Sequence, residues 1–360
     1  MGHFRYNAMM PTMTPFATAL LDWYDRHGRR DLPWHRSRDA YAIWVSEIML
    51  QQTQVAMVIP YYVRFMARFP TLQALAAADQ DHVLHIWTGL GYYSRARHLH
   101  RAAQHVCEGH AGRFPADIEA VCALPGIGRS TAGAILAFAF DQRHAILDGN
   151  VKRVLARYHR VDGDTRRRAV DSRLWALADQ HTPHARVADY TQAIMDLGAT
   201  ICRRTPHCAA CPVAKDCAAY QTANPIDYPK HKARRALPQK SVAMLLIRNQ
   251  VGQVLLQKRP PVGVWGGLWS FPECQVDEDV TGWCRRELAL EIDAARPWCP
   301  IRHTFSHYHL DITPVPARLV KALSVVMGGD ESVWYNPACP DARGLAAPVT
   351  RLIDALRNCQ

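Results

Sequence analysis

The sequence predicts two domains, an all-helical one followed by one of mixed α and β structure. Three observations predict this. The chain has 360 residues, 49% of them apolar, enough for two ordinary cores when domains run to about 100–200 residues. Over residues 14–220 apolar side chains recur at helical spacing. After a basic, proline-containing stretch at 221–240, short apolar runs separated by turn residues take over.

In chain order, residues 1–13 form an extension whose four methionines, Met1, Met9, Met10 and Met13, leave the start of translation open. Phe16, Leu20, Trp23 and Tyr24 mark a first amphipathic helix, and residues 41–50 a second. Further helical stretches fall at 72–86, 96–107, 131–140, 151–158 and 175–178, with Gly and Pro between them. Pro225, Pro229 and Pro238 flank the run Lys230, His231, Lys232, Ala233, Arg234, Arg235, which reads as an exposed linker. Residues 242–247 and 254–257 read as strands paired around a turn at 249–252, residues 283–290 as a helix, and 304–312 as a strand. The chain has no internal repeat.

Lysine and arginine number 43 against 32 acids, a formal charge of +11. Such an excess suits a polyanionic partner without choosing nucleic acid over a membrane surface. No apolar run approaches the roughly 20 residues of a membrane helix, and the first residues lack the apolar stretch of a secretion signal. Membrane and secreted classes are therefore excluded from the expectation. Of 11 cysteines, Cys202, Cys208, Cys211 and Cys217 are clustered and the rest scattered. That pattern suits a metal or cluster site in a cytoplasmic protein with reduced thiols, not a disulfide framework.

Four features carry candidate chemistry. Leu124-Pro125-Gly126-Ile127-Gly128-Arg129-Ser130 lies between two helical runs, so it must turn tightly. Its glycines and the following helix N-terminus suit a phosphate, and an ordinary hairpin turn capped by Ser130 or Thr131 is the plainer alternative. The Cys202-x5-Cys-x2-Cys-x5-Cys217 segment suits zinc or an iron–sulfur cluster equally by spacing. Glu47 lies in a helix where only it and Ser46 are polar between residues 41 and 50. A carboxyl against an apolar wall resists ionisation, as a general acid must, whereas a narrow exposed stripe is the alternative. Asp148 precedes a helix and could be simply its N-cap.

Together these residues resemble the helix-hairpin-helix DNA glycosylases. Within that superfamily, Trp44-Val-Ser-Glu-Ile-Met-Leu-Gln-Gln-Thr-Gln-Val55, Gly89-Leu-Gly-Tyr-Tyr93 and Ile146-Leu-Asp-Gly-Asn-Val-Lys-Arg153 look like the adenine DNA glycosylases of the MutY type. The resemblance covers nearly the whole chain from Thr14. It implies a multidomain fold: an all-α helix-hairpin-helix glycosylase domain with an iron–sulfur cluster loop, then an α+β Nudix-like C-terminal domain. The implied boundaries are 14–220 for the glycosylase domain, with a six-helix lobe at about 34–140 and an iron–sulfur lobe of 14–33 plus 141–220. The linker is then 221–240 and the Nudix-like lesion-recognition domain 241–360. The first cysteine interval is five residues, where the family more often has six. Ser130 stands where some members carry tyrosine.

The resemblance implies a monomeric base-excision enzyme acting on double-stranded DNA with adenine opposite 8-oxoguanine or guanine. Glu47 would protonate adenine at N7 and later help activate water, Asp148 would stabilise the oxocarbenium sugar, and the four cysteines would hold a [4Fe-4S] cluster. Gln51, Gln52, Leu90 and Tyr92 match wedging positions, and Gly126, Gly128 and Ser130 the DNA grip. Trp34 and Gln192 match the adenine pocket, while Phe305, Ser306 and His307 match the loop that reads 8-oxoguanine. The endonuclease III type, which cuts the strand through a lysine Schiff base, carries that lysine where this chain has Ser130. Serine cannot form an imine, which predicts base removal without efficient strand cleavage. Lys152 is the nearby amine. Aligned on Arg286-Glu287-Leu288, the Nudix box is incomplete: Glu278 and Glu291 are present, but Pro272, Leu290 and Asp293 replace a glycine, a metal glutamate and a second glycine. Recognition without nucleotide hydrolysis is the expectation.

Overall fold

The computed structural model describes residues 13–222, 224–230, 236–323 and 331–358. Most of the N-terminal extension, and His231–Arg235 of the basic linker, lie outside the described residues. Two compact units emerge. One comprises the chain up to residue 76 and residues 101–233; the other joins residues 77–100 to 234–360.

The first unit is helical. Helix Pro15–His27 begins where Thr14 Oγ1 accepts from the Ala17 amide at 3.2 Å and a proline opens the first turn, both favourable start signals. Its apolar face, Phe16, Leu20 and Tyr24, joins Val151, Leu155, Tyr190 and Ile194 in one buried core. Helix Ala40–Leu50 is capped by Asp39, and it packs on helix Arg129–Phe140. Helix Ile118–Ala123 and helix Arg129–Phe140 enclose the Pro-Gly-Ile-Gly turn. There Gly126 takes φ +81°, a left-handed conformation that favours glycine. Gly133 serves a different need, because a Cβ would lie 2.9 Å from the Ala145 carbonyl oxygen. The helix thus approaches residues 144–147 closely, and that segment delivers Asp148 to the start of helix Gly149–Tyr158.

Among the described residues, the second unit is built on an eight-stranded mixed sheet. Its longest strands, Gln239–Arg248 and His309–Ala322, run parallel, and the other pairings are antiparallel. Leu245, Ile247, Leu255, Leu290 and Val315 bury one face. The expected turn after the first strand forms, with Asn249 Oδ1 accepting from the Val251 and Gln253 amides and Gly252 at φ +84°. Helix Gln80–Trp87 belongs to this unit and is tied by Asp81, which accepts from Lys258 Nζ at 3.2 Å and Trp269 Nε1 at 3.1 Å.

Three expectations are corrected. The stretch 72–86 is two helices, Leu72–Ala76 and Gln80–Trp87, because Asp79 starts a new helix by capping the Asp81 amide at 2.8 Å. The helix expected at 283–290 is Val280–Glu287; Ala289 at φ +51° ends it, and Leu290 opens a strand. The strand expected at 304–312 is a hairpin. Strand Ile301–Thr304 pairs antiparallel with His309–Ala322, Thr304 facing His309, so residues 305–308 form its loop.

Candidate active site and nucleic-acid interface

Within Tyr41–Met49 every residue is buried except Glu47, which is partly exposed. Ser46, its polar neighbour, is 1% exposed and donates to the Ile43 carbonyl at 2.7 Å. The two polar residues therefore form no exposed stripe: one is satisfied inside the helix, the other opens alone from an apolar wall. Among the described residues no hydrogen bond or ion pair engages the Glu47 carboxyl. Burial, and then the negative charge of Asp148, push it up to about 8 from the ordinary 4.5. A carboxyl so placed holds its proton at neutral pH.

Asp148 is an N-cap, as the plainer alternative held. Its Oδ1 accepts from the Val151 amide at 2.7 Å. Burial raises its pKa, against the pull of the Val151 and Asn150 amides and the Arg153 charge. The cap and the pairing with Glu47 coexist: the cap fixes a carboxylate whose field reaches Glu47. Ser130, in the first turn of the hairpin's second helix, accepts from the Leu147 amide at 2.9 Å through its hydroxyl. It thereby holds the backbone next to Asp148. Lys152 Nζ lies 2.5 Å from Asp171 Oδ1 in an ion pair. On the Glu47 side, Gln51 Nε2 reaches Thr131 Oγ1 at 3.4 Å, while Gln52 is exposed at φ +57°. A Cβ at Gly128 would meet open space.

Trp34 and Gln192, 158 residues apart in sequence, line one open pocket of about 690 Å³ with His35, Ile43 and Phe138. Glu47 is not among its walls. It lies four residues beyond Ile43, on the same helix face one turn on. Trp34 is held edge-on by Tyr62 at 5.3 Å between ring centroids. Sequence reasoning missed the polar residues behind Gln192, namely His35, Asp196 and Arg29. Asp196 is 1% exposed and ion-paired with Arg29 at 2.7 Å. Nothing in its local sequence marks it.

Cys202, Cys208, Cys211 and Cys217 all line one pocket of about 390 Å³. Among the described residues no three His, Cys, Asp or Glu groups converge as ligands of a single ion. A donor set of four thiols around a common space fits an iron–sulfur cluster and also a tetrahedral zinc ion. Burial, reinforced by the neighbouring thiols, pushes Cys211 up to about 12, so a positively charged guest is what would keep these sulfurs as thiolates. The loop is fastened by two arginines of helix Gly149–Tyr158. Arg153 Nε donates to the Cys202 carbonyl at 2.7 Å, and Arg157, 3% exposed, donates to the carbonyls of Arg203, Arg204 and Tyr228.

In the second unit, Tyr92 and Phe305, Ser306 and His307 face one pocket of about 1310 Å³, with Trp265 and His303. Tyr92 is 47% exposed at φ +49°, and Leu90 is buried at 6%. The hairpin loop is closed by the Phe305 amide donating to the Tyr308 carbonyl at 2.9 Å, which leaves Ser306 and His307 exposed at its tip. Of the positions aligned with the Nudix box, Glu278 pairs with Arg286 and Glu291 with Arg285, while Leu290 is wholly buried.

Residues 45–180 match the HhH-GPD superfamily of base excision DNA repair proteins, and residues 243–355 a NUDIX domain. The Adenine DNA glycosylase of Buchnera aphidicola subsp. Acyrthosiphon pisum is 36% identical over 344 residues, covering 95% of this chain and 98% of that protein. The human Adenine DNA glycosylase is 39% identical over 315 residues, covering 72% of this chain and 57% of its own length. A solved thermostable thymine-DNA glycosylase overlays 57% of this chain and 95% of its own, at 30% identity and a TM-score of 0.52. The chain belongs to the adenine DNA glycosylases, hydrolases of N-glycosyl bonds in base excision repair. Among the described residues no helix is long and apolar enough to cross a membrane.

Proposed function

We propose that this glycosylase removes adenine mispaired with 8-oxoguanine, and with guanine, by hydrolysis, leaving the DNA strand uncut. The observation that carries the reading is the Glu47 carboxyl, partly open and still protonated near neutral pH beside Asp148. Adenine leaves well only when protonated. Glu47 donates that proton to N7, the glycosidic bond breaks, and Asp148 offsets the oxocarbenium charge on the sugar. Glu47, now a carboxylate, takes a proton from the attacking water. The flipped adenine occupies the Trp34 and Gln192 pocket. Gln51 and Gln52 in the helical unit are wedging candidates, as are the exposed Tyr92 and the buried Leu90 in the other unit, and Gly126, Gly128 and Ser130 hold the backbone.

Strand cleavage needs a free amine. Ser130 offers none and its hydroxyl is committed to Leu147; Lys152 is held by Asp171. Opposite the adenine, 8-oxoguanine carries a proton on N7 that guanine lacks, and the exposed Ser306 hydroxyl supplies an acceptor for it. Cys202, Cys208, Cys211 and Cys217 hold a [4Fe-4S] cluster, which would supply a charged anchor for the loop that Arg153 and Arg157 fasten. Iron and sulfide analysis of the purified protein tests this; four iron per chain is expected, and one zinc would overturn it. The enzyme works as a monomer inside the cell.

An end-labelled duplex with one adenine opposite 8-oxoguanine tests the main reading. Breaks at the adenine that need hot alkali are expected. Efficient breakage without alkali would overturn the hydrolytic assignment, and no product from cluster-loaded protein would overturn the adenine assignment.

A further inference from the structure

Behind the proposed adenine pocket runs a chain of polar groups that fixes one amide. Asp196 is 1% exposed, and its Oδ1 takes three contacts: Arg29 Nη2 at 2.7 Å, Arg29 Nε at 3.0 Å and Gln192 Nε2 at 2.8 Å. Its Oδ2 accepts from the Arg29 amide at 2.9 Å. A carboxylate paired with a guanidinium can only accept, so the nitrogen end of the Gln192 carboxamide must face it. The oxygen end, Oε1, then lies 3.0 Å from His35 Nε2. Two acceptors cannot bond, so His35 must carry its hydrogen on Nε2. Burial lowers the His35 pKa, against the hydrogen bonds to Gln192 and the Arg29 backbone, which favours the neutral ring.

We propose that His35 and Asp196 lock the Gln192 carboxamide in one of its two orientations, and that this lock selects a 6-amino purine over a 6-oxo purine. The inference rests on the reading of Gln192 as part of the adenine pocket. With one Nε2 hydrogen given to Asp196 and one Oε1 lone pair taken by His35, Gln192 keeps one donor and one acceptor for a ligand, in fixed order. Adenine offers an amino donor at C6 beside an acceptor at N1. Hypoxanthine offers the reverse, a carbonyl acceptor at C6 beside a donor at N1. Only the first order meets the locked amide with both bonds made, and the second sets like against like. An unlocked amide could flip and serve either base. His35 is thus a positioning residue: it acts through Gln192 and need not touch the base.

The test compares single-turnover excision of adenine and of hypoxanthine, each opposite the same partner base, by the full chain. Because both substrates meet one preparation, their ratio is independent of the folded fraction. His35→Leu is expected to lower the adenine-to-hypoxanthine ratio by about tenfold, the effect of one unmade buried hydrogen bond. His35→Gln, whose amide can donate to Oε1, is expected to return the ratio to within about threefold of the parent. An unchanged ratio in His35→Leu overturns His35 as a positioning residue, and with it the two-point lock; His35→Met carries the same prediction if the leucine variant does not fold. Gln192→Leu separates the two levels. If it leaves the ratio unchanged, the adenine-pocket reading falls and the lock with it. If it collapses the ratio while His35→Leu does not, only the lock falls.

Discussion

The two units carry carboxylates at the places where their respective families do chemistry, and they treat them in opposite ways. In the helical unit Glu47 stands against buried residues with no hydrogen-bond partner among the described residues, pushed up to about 8. In the sheet unit Glu278 and Glu291 lie in ion pairs with Arg286 and Arg285, and a buried leucine fills the place of a third acid. The first arrangement opposes stability and, on the proposed mechanism, would supply a proton at neutral pH. The second is what a surface does when a carboxylate has only to be soluble. A working acid is recognisable by the discomfort of its environment, and an idle one by its comfort.

Removing the uncomfortable group gives the largest effect. Glu47→Gln is expected to lose excision by about 10²- to 10⁴-fold, the usual range for a general acid, in single-turnover assays, while lesion-DNA binding persists. The same change should stabilise the fold. The folded protein keeps a proton on Glu47 that the unfolded chain releases, so this group lowers stability progressively as pH rises from 4.5 to about 8. The variant's gain in thermal unfolding should therefore grow across that window, reaching about 1–3 kcal/mol at pH 8. An equal gain at pH 5 would contradict the raised pKa. In the parent enzyme, single-turnover excision should fall about tenfold per unit above pH 8 as Glu47 loses its proton. A rate that stays level to pH 9.5 would remove Glu47 from the acid role.

How far these sites could be read beforehand differs residue by residue. Glu47 and Ser46 look alike in sequence, two polar residues in an apolar helix; only packing shows that Ser46 satisfies itself on Ile43. Asp148 is a cap by pattern, and its electrostatic effect on Glu47 depends on a helix about 100 residues earlier. Phe305-Ser306-His307 is legible as a loop by resemblance, whereas the residue pattern over 304–312 reads as a strand. The pairing of Thr304 with His309 turns it into a loop tip, because a turn of this kind carries no Gly or Asn-Gly signal. The four cysteines were legible as a cluster from spacing alone. The Arg29, Asp196, Gln192 and His35 chain was not, since its members come from segments more than 150 residues apart. Charge pairing over that distance leaves no local period.

A smaller effect is expected at the exposed loop proposed to read the lesion. Ser306→Ala removes a single acceptor that water can partly replace, so preference for adenine opposite 8-oxoguanine over adenine opposite guanine should fall by about three- to tenfold. Paired binding assays on the two duplexes measure it, and an unchanged preference would take Ser306 out of lesion reading.

The smallest effect sharpens the comparison most. Glu278 and Glu291 keep their positions in the Nudix pattern, so a residual metal-dependent hydrolysis would need them. Their ion pairs sit at the surface, with the arginine side chains 58% and 55% exposed, and such pairs contribute about 0–1 kcal/mol. The double variant Glu278→Gln with Glu291→Gln should excise adenine at the parental rate and unfold within about 1 kcal/mol of it. Nucleoside triphosphate turnover with magnesium should be absent from both proteins. Turnover in the parent that the double variant loses would show that Leu290 has not silenced the box, and that comfort in a carboxylate is an unreliable sign of idleness.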